Sequence, residues 1–185
     1  AKYLRLELKR LHDELGITTI HVTHNLIEAE EMGDRIGVMN AGRLEQVGKP
    51  EEILFHPVNQ TVSDFLGTPN ILDCENCRPL GHGLTEVTCR DMSIVLPYHR
   101  EDLRKIALFP QDIYISTSKP PGPELNRFTG VVSDIGIFSS VVRLQIEVGR
   151  NSLVSELPQD IYQELEITKG SEVYLILKLR SIKVY

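Results

Sequence analysis

His24 follows a run of β-branched and apolar residues, a position where a histidine can contact a ligand. Residues 17–22 predict a strand buried on both faces of a parallel sheet. A side chain just after such a strand lies at the edge where open α/β sheets bind ligands. Its imidazole could donate a hydrogen bond to a phosphate oxygen. The alternative, which spacing alone favours, is a histidine with satisfied polar contacts and no ligand. His21, within the strand, is expected to pack in the sheet interior.

A second group with possible chemistry contains three cysteines and a histidine: Cys74, Cys77, His82 and Cys89. Tetrahedral zinc accepts a set of three cysteines and one histidine. The spacing is loose, however, and no second pair of cysteines two residues apart supports a metal site. Free thiols explain the same residues, and we favour that interpretation. An odd number of cysteines cannot all pair, and a reducing compartment predicts no disulfide.

The elements that would position His24 alternate between helix and strand. Leucines at helical spacing predict a helix over residues 1–15, ended by Gly16. A helix over residues 25–32, a strand over 34–39, a turn over 40–43 in which Asn and Gly tolerate positive φ, and a strand over 44–47 should follow. Two short helices then run to about Leu66.

Beyond Thr68 the sequence changes to short β-rich segments broken by Gly, Pro and Asn. We place the domain boundary near Pro69, which gives domains 1–68 and 69–185 with a stiff linker near 119–123. The second domain should contain strands over 128–135, 140–148 and 152–157, a helix over 159–165 and a final strand over 172–184. This order predicts a small barrel.

Composition limits the classes of partner. The 185 residues carry a net charge of −6, with 41% hydrophobic and 25% charged residues. No dense block of Lys and Arg is present, so no nucleic-acid surface is expected. Apolar runs are too short to span a bilayer, and no signal peptide is recognisable. The chain is therefore expected in the cytoplasm.

Several short segments occur in a fixed order and spacing in the first domain: Ile20-His21-Val22-Thr23-His24-Asn25, Glu28-Ala29, Asp34-Arg35-Ile36, Asn40-Ala41-Gly42-Arg43, Gln46-Val47-Gly48, Pro50-Glu51-Glu52 and Phe65-Leu66-Gly67. Together they resemble the last third of the ATPase domain of ABC importers. The resemblance implies an α/β end piece of a RecA-like domain, with His24 as the switch histidine that reaches the γ-phosphate of ATP. Asn25 stands where importers often carry Asp, and it keeps a polar cap for the helix that follows.

The rest of an ATPase site is not in this sequence. Phosphoryl transfer also needs a glycine-rich loop with lysine and an acid that holds Mg²⁺, and no GxxxxGK[ST] motif is present. The resemblance places these parts, the signature helix and the catalytic Glu upstream of Ala1. ATP and Mg²⁺ are thus expected in the parent protein, whereas the fragment alone should neither hold a cofactor nor hydrolyse ATP.

The second domain resembles the OB-like (TOBE) regulatory barrel of such importers. Residues 107–112 are similar to its "RPE" strand, although Phe109 replaces the usual Arg. Residues 128–132 and 164–182 look like the molybdate/tungstate version, which implies an oxyanion site. Oxyanions need convergent hydrogen-bond donors, and the candidates are Asn126, Lys178 and Ser181.

Other positions of the expected pocket lack donors, because Pro123 and Leu125 stand where the family has Ser and Arg. The segment 158–161 likewise replaces a stretch that is usually rich in hydroxyls. A barrel for dimerisation and regulation, without a bound oxyanion, is therefore the favoured alternative for this domain.

Two functional hypotheses follow. In the first, the chain is a fragment of the ATP-binding subunit of an oxyanion importer that forms a homodimer and couples to membrane permease subunits at the inner face of the membrane. In the second, it is a stand-alone oxyanion-sensing or interaction module without ATPase activity. A P-loop encoded upstream of Ala1 would discriminate against the second hypothesis.

Overall fold

The computed structural model describes residues 2–100, 102–138 and 141–184. The chain divides into two compact units, Ala1–Leu66 and Gly67–Tyr185. Residue 1, the predicted start of the first helix, and residue 140, the predicted start of a strand, lie outside the described residues. In the described part of the chain no helix is both long and apolar enough to cross a bilayer.

The first unit combines short helices with one β-hairpin. Its elements are α1 (Lys2–Leu15), α2 (Leu26–Met32), β1 (Ile36–Asn40), β2 (Arg43–Gly48), α3 (Pro50–Phe55) and α4 (Gln60–Phe65). Leu26 and Ala29 of α2 pack at the margin of its small core. Among the described residues, the buried apolar side chains of this core are Ile36, Val38, Ile53, Val62 and Leu66. The core lies between the hairpin and the short helices.

The predicted parallel strand over residues 17–22 is wrong, since no hydrogen-bonded strand forms there. Ile20 and Val22 are each 90% exposed. A β-strand requires a neighbour to satisfy its backbone N–H and C=O groups. In the described part of the first unit, the strands β1 and β2 pair only with each other, antiparallel, so this segment has no strand beside it.

Helix α1 ends as predicted at Gly16. Gly16 has φ +60°, and its N–H donates to the His12 carbonyl at 3.0 Å, the left-handed ending that glycine favours. The hairpin turn differs in detail from the prediction. Ala41 (φ 46°) and Gly42 (φ 77°) are the left-handed residues, whereas Asn40 is the last residue of β1.

In its described residues, the second unit is antiparallel β structure with one α-helix. Its elements are β3 (Asn70–Asp73), β4 (Asn76–Gly81), β5 (Leu84–Cys89), β6 (Met92–Leu96), β7 (Lys105–Leu108), β8 (Ile113–Ser116), β9 (Arg127–Phe138), β10 (Val141–Val148), β11 (Asn151–Pro158), α5 (Gln159–Leu165), β12 (Glu172–Leu177) and β13 (Lys183–Val184).

Three sheets surround a shared apolar core in this unit. The largest has the order β11-β10-β9-β12-β8, and the two smaller sheets have the orders β13-β7-β3 and β4-β5-β6. Alternate residues along β10 and β11 are buried, as expected for strands with one face on a core. Side chains from all three sheets meet there, among them Ile94, Ile106 and Leu144. The described chain as a whole is therefore mostly β.

Two predicted features of this unit differ in the structure. The final strand is interrupted, because β12 ends at Leu177, a 3₁₀ turn covers Leu179–Ser181, and β13 joins β7 in another sheet. The segment 119–123 does not separate two independent halves. β8 precedes it and β9 and β12 follow it, yet all three belong to one sheet.

Candidate functional site

His24 lies in a bend just before α2, and it is exposed. The residues on either side of it are fixed by hydrogen bonds. Asn25 caps α2, since its Oδ1 accepts from the Glu28 N–H at 3.2 Å, which confirms the predicted polar cap. Thr23 Oγ1 accepts from the Asn25 N–H at 3.0 Å and donates to Glu28 Oε2 at 2.9 Å. The backbone around His24 is thereby held, and the residue itself is exposed.

Glu28 connects this bend to α1. Its Oε1 lies 3.3 Å from Arg5 Nη1, and Arg5 Nε also contacts Glu31 Oε2 at 2.9 Å. The Thr23 hydroxyl, followed by the Arg5 charge, holds the pKa of Glu28 below its usual value. The Glu28 carboxylate therefore holds the start of α2, which follows shortly after His24, beside α1.

The predicted packing of His21 inside a sheet is wrong. Its side chain is exposed, and Nε2 lies 3.8 Å from Glu28 Oε2. The physical reason is the missing neighbour strand: without one, the segment 17–22 has no sheet interior into which an imidazole can pack.

In the second unit, Lys178 and Ser181 line the same small depression, of about 10 Å³, together with Asp112. That volume is about the size of one water molecule. The Lys178 ammonium stands 4.3 Å from the centre of the Tyr114 ring, a cation–π contact. Two of the three candidate oxyanion ligands are thus brought together.

Asp112 changes the electrostatics of this depression. Partial burial raises the pKa of its carboxyl, and the nearby Lys178 and Lys183 ammonium groups oppose that rise. An ionised Asp112 would repel a bound oxyanion and would compete for the Lys178 charge. The pair is therefore better suited to internal charge balance than to binding a dianion.

Asn126, the third candidate, does not line the depression, and its side chain is committed to the backbone. Its Oδ1 accepts from the Val95 N–H at 2.7 Å, and its Nδ2 donates to the Val95 carbonyl at 2.8 Å. Its own carbonyl accepts from the Leu177 N–H at 2.9 Å. Only 4% of the residue is exposed, so it joins β6 to the end of β12 as a peptide group would.

The four residues considered for zinc do not form a site. His82 lies in the turn between β4 and β5 with φ 53°. The three cysteines are at the opposite end of that hairpin and pack against the core. Within residues 2–100, 102–138 and 141–184, no group of three or more His, Cys, Asp or Glu side chains is arranged to hold a metal ion.

Sequence reasoning missed two other asparagines that join strands. The Asn70 amide bonds both the N–H and the carbonyl of Val154, at 2.6 and 2.8 Å. Asn151 donates to the Cys89 carbonyl at 3.0 Å and to Asp91 at 3.1 Å. Asparagines at the ends of β-rich segments were the available signal, but nothing in the sequence identifies the distant backbone groups that they bind.

Comparison with known proteins extends over nearly the whole chain. The molybdate/tungstate import ATP-binding protein WtpC of Pyrococcus abyssi is 35% identical over 182 residues, which cover 97% of this chain and 50% of the relative. The spermidine/putrescine import ATP-binding protein PotA of Nitratidesulfovibrio vulgaris is 32% identical over 181 residues, 93% of this chain and 48% of the relative. The chain thus spans about half the length of these curated relatives.

No family model matches the chain. Among solved structures, the cytoplasmic molybdate-binding protein ModG, with molybdate bound, aligns with 62% of this chain and 94% of its own, at 13% identity and a TM-score of 0.48.

Proposed function

The chain belongs to the family of ABC importer ATP-binding subunits, and we propose that it forms the final part of the ATPase domain of such a subunit together with a regulatory unit. The observation that carries the proposal is the 35% identity over 97% of the chain, which includes both compact units. In this proposal the first unit supplies His24, and the second unit serves pairing and regulation.

His24 would act by contacting the γ-phosphate of ATP. Its exposure and the fixed backbone of Thr23 and Asn25 support this role, because an imidazole on a held bend can donate to a phosphate oxygen without reorganising the chain. The phosphate cradle and the Mg²⁺ ligands would come from a preceding part of the subunit, and ATP would be shared with a second copy in a homodimer.

A chimera tests this role. The half of the Pyrococcus abyssi relative that this chain does not match is joined ahead of the chain, and ATP hydrolysis is measured. His24→Ala should lower the rate by roughly a hundredfold, the order of loss when one transition-state contact is removed. His21→Ala is the matched control, since this exposed histidine lies three residues earlier, and it should leave the rate unchanged. A His24→Ala chimera as active as its parent would refute the role.

For the cargo we propose an oxyanion, imported through membrane permease subunits that hold the protein at the cytoplasmic face. Support comes from the relative named for molybdate and tungstate. The polyamine relative, at 32% identity, represents the competing class of cargo. Uptake of molybdate, tungstate and spermidine, each supplied at a growth-limiting concentration to a strain lacking the gene, distinguishes the two classes of cargo. Loss of spermidine uptake alone would contradict the proposal of an oxyanion cargo.

For the second unit we propose regulation and dimerisation without a stored oxyanion. The Asp112 carboxyl beside Lys178 and Ser181, and the commitment of Asn126 to Val95, support this. Calorimetric titration of the chain with molybdate, tungstate and sulfate should give no binding heat. Heat that disappears in Lys178→Ala but persists in Arg180→Ala, an exposed neighbour, would instead support a stand-alone oxyanion sensor.

A further inference from the structure

Three cysteines meet where the β4–β5 hairpin joins the core of the second unit. Cys89 is at the end of β5 and only 1% exposed, and Cys74 and Cys77 are half-buried against the same core. Neither the proposed ATPase role nor the proposed regulatory role uses these thiols, so their arrangement needs its own explanation.

A local irregularity in the hairpin brings two of them together. Asn76 is the ladder partner of Thr88, yet the Glu75 N–H also donates to the Thr88 carbonyl at 2.8 Å. Glu75, just before β4, and Asn76, its first residue, therefore both face Thr88 of β5, as in a β-bulge. The extra residue places Cys74 across from Cys89, so that both side chains face the same apolar core.

We propose that Cys74 and Cys89 are a peroxide-reactive thiol pair that closes reversibly into a disulfide. Cys74 is the attacking thiol because this residue is only half-buried, whereas Cys89 is buried and acts as the resolving thiol. The proposal does not depend on the function proposed above.

The position of the two thiols across from each other favours ionisation of Cys74 before Cys89. Donation from the Cys89 S–H lowers the pKa of Cys74, and the same contact, with burial, raises the pKa of Cys89. The proton is thus retained on Cys89 while Cys74 ionises first, and the thiolate is the form that attacks an oxidant.

The reaction balances with a hydroperoxide as oxidant. The Cys74 thiolate attacks one peroxide oxygen, the O–O bond breaks, and protonation of the leaving oxygen releases water or an alcohol, which leaves Cys74 as a sulfenic acid. The Cys89 sulfur then attacks the Cys74 sulfur, and its proton leaves with the hydroxyl as water. The sulfur pair loses two electrons, the peroxide is reduced, and a thiol reductant reverses the bond.

The Cys77 thiol provides a comparison for the reactivity of Cys74 within the same protein. Its Sγ–H points to the Leu103 carbonyl, with Sγ and O 3.5 Å apart. Burial, reinforced by the negative charge of an ionised Cys74, raises the pKa of Cys77. It is therefore less reactive than Cys74 although it lies only three residues away, and it should stay reduced when the other two pair.

The test uses the full chain, treated with hydrogen peroxide, quenched, alkylated in denaturant and digested after glutamate. The sequence is favourable, because cleavage after Glu52, Glu75, Glu86 and Glu101 puts each cysteine in its own peptide. We expect a cross-link between peptides 53–75 and 87–101, lost on reduction, with Cys77 still fully alkylated. Full alkylation of all three cysteines, or a cross-link that contains peptide 76–86, would overturn the proposal.

Variants separate the two thiols. Cys89→Ala should stop the reaction at a sulfenic acid on Cys74 that dimedone traps, and Cys74→Ser should leave Cys89 reduced. Cys77→Ser is the matched control and should keep the cross-link. If the substitution at the buried Cys89 prevents folding, the wild-type peptide map still decides between the outcomes.

Discussion

The side-chain amide of Asn126 and the backbone of Val95 form a two-way hydrogen-bonded pair, with distances of 2.7 and 2.8 Å. The pair copies the pattern between neighbouring strands, and it connects β6 to the residue just before β9, thirty-one positions later. Asn126 also has φ 52°, a left-handed conformation that asparagine tolerates better than most residues. Asparagine therefore suits this position for two reasons: it tolerates the left-handed backbone, and its amide pairs with the backbone of Val95.

Substituting Asn126 with alanine should therefore destabilise the second unit by about 1–3 kcal/mol, because the Val95 N–H and carbonyl would be left buried without partners. Urea unfolding followed by tyrosine fluorescence measures this, since most tyrosines belong to this unit. Asn76→Ala, at an exposed position of β4, is the control and should change the midpoint little. Equal midpoints for both variants would contradict a structural role for Asn126.

Glu28 predicts a pH dependence for the first unit. A carboxyl whose folded pKa lies below its unfolded value of about 4.5 stabilises the fold above that value, and the contribution is lost as the pH falls through the folded pKa. Thermal unfolding by far-UV circular dichroism from neutral to acidic pH should show this loss in the parent. Glu28→Gln should be less stable at neutral pH and should lose less stability on acidification.

The control for Glu28 is Glu51→Gln, an exposed carboxyl in the first turn of α3. It should keep the acid-dependent loss of the parent. If both variants follow the parent curve at every pH, the contacts of Glu28 with Thr23 and Arg5 contribute nothing measurable to the stability of this unit.

Interactions between residues close in sequence are sufficient to predict several elements. Helix α5 has the predicted bounds, 159–165, because Pro158 fixes the backbone before it and Glu166 ends it in a left-handed conformation. The Asn25 cap was also readable, since capping joins residues three positions apart. In both cases the interactions that define the element lie within a few residues of the sequence.

The pairing of strands that are distant along the chain could not be predicted from the sequence. Residues 17–22 have strand-forming side chains, but a strand also needs a partner, and the described part of the first unit supplies none beside them. The predicted strand over 172–184 fails for a related reason, because β13 pairs with β7 rather than continuing beside β9. The sequence likewise gives no sign of the partner of the Asn126 amide, because Val95 is distant along the chain.

Arg127 should control the mobility of the segment before it. Its guanidinium donates to the carbonyls of Pro120 and Pro121 at 2.6 Å and of Gly122 at 3.3 Å. Removing it by Arg127→Ala leaves these carbonyls without a common donor, so thermolysin should cleave faster before the exposed Leu125. Cleavage rates under native conditions, read by mass spectrometry, provide the measurement.

Two further variants interpret that result. Arg127→Lys keeps the charge but not the planar fork of donors, so it should cleave nearly as fast as Arg127→Ala. Arg180→Ala changes an exposed arginine elsewhere in the unit and should cleave like the parent. Parent-like cleavage of Arg127→Ala would show that the prolines, rather than the guanidinium, hold this segment.

Gly130 marks a close approach between β9 and β10. A Cβ at this position would lie 2.7 Å from Ile146 Cγ2, 2.8 Å from the Glu147 carbonyl oxygen and 2.9 Å from Val148 Cγ2. One of these obstacles is backbone, so the strands must shift to admit a methyl group. Gly130→Ala should destabilise the fold by about 1–3 kcal/mol, as overpacking does.

Gly136→Ala on the same strand is the matched control. Its Cβ would meet only the tip of the exposed Phe138 ring, 3.0 Å away, and that ring can rotate aside. Urea midpoints of the two variants, followed by tyrosine fluorescence, should differ clearly, and a Gly130→Ala midpoint equal to that of Gly136→Ala would show that the sheet relaxes freely at this point.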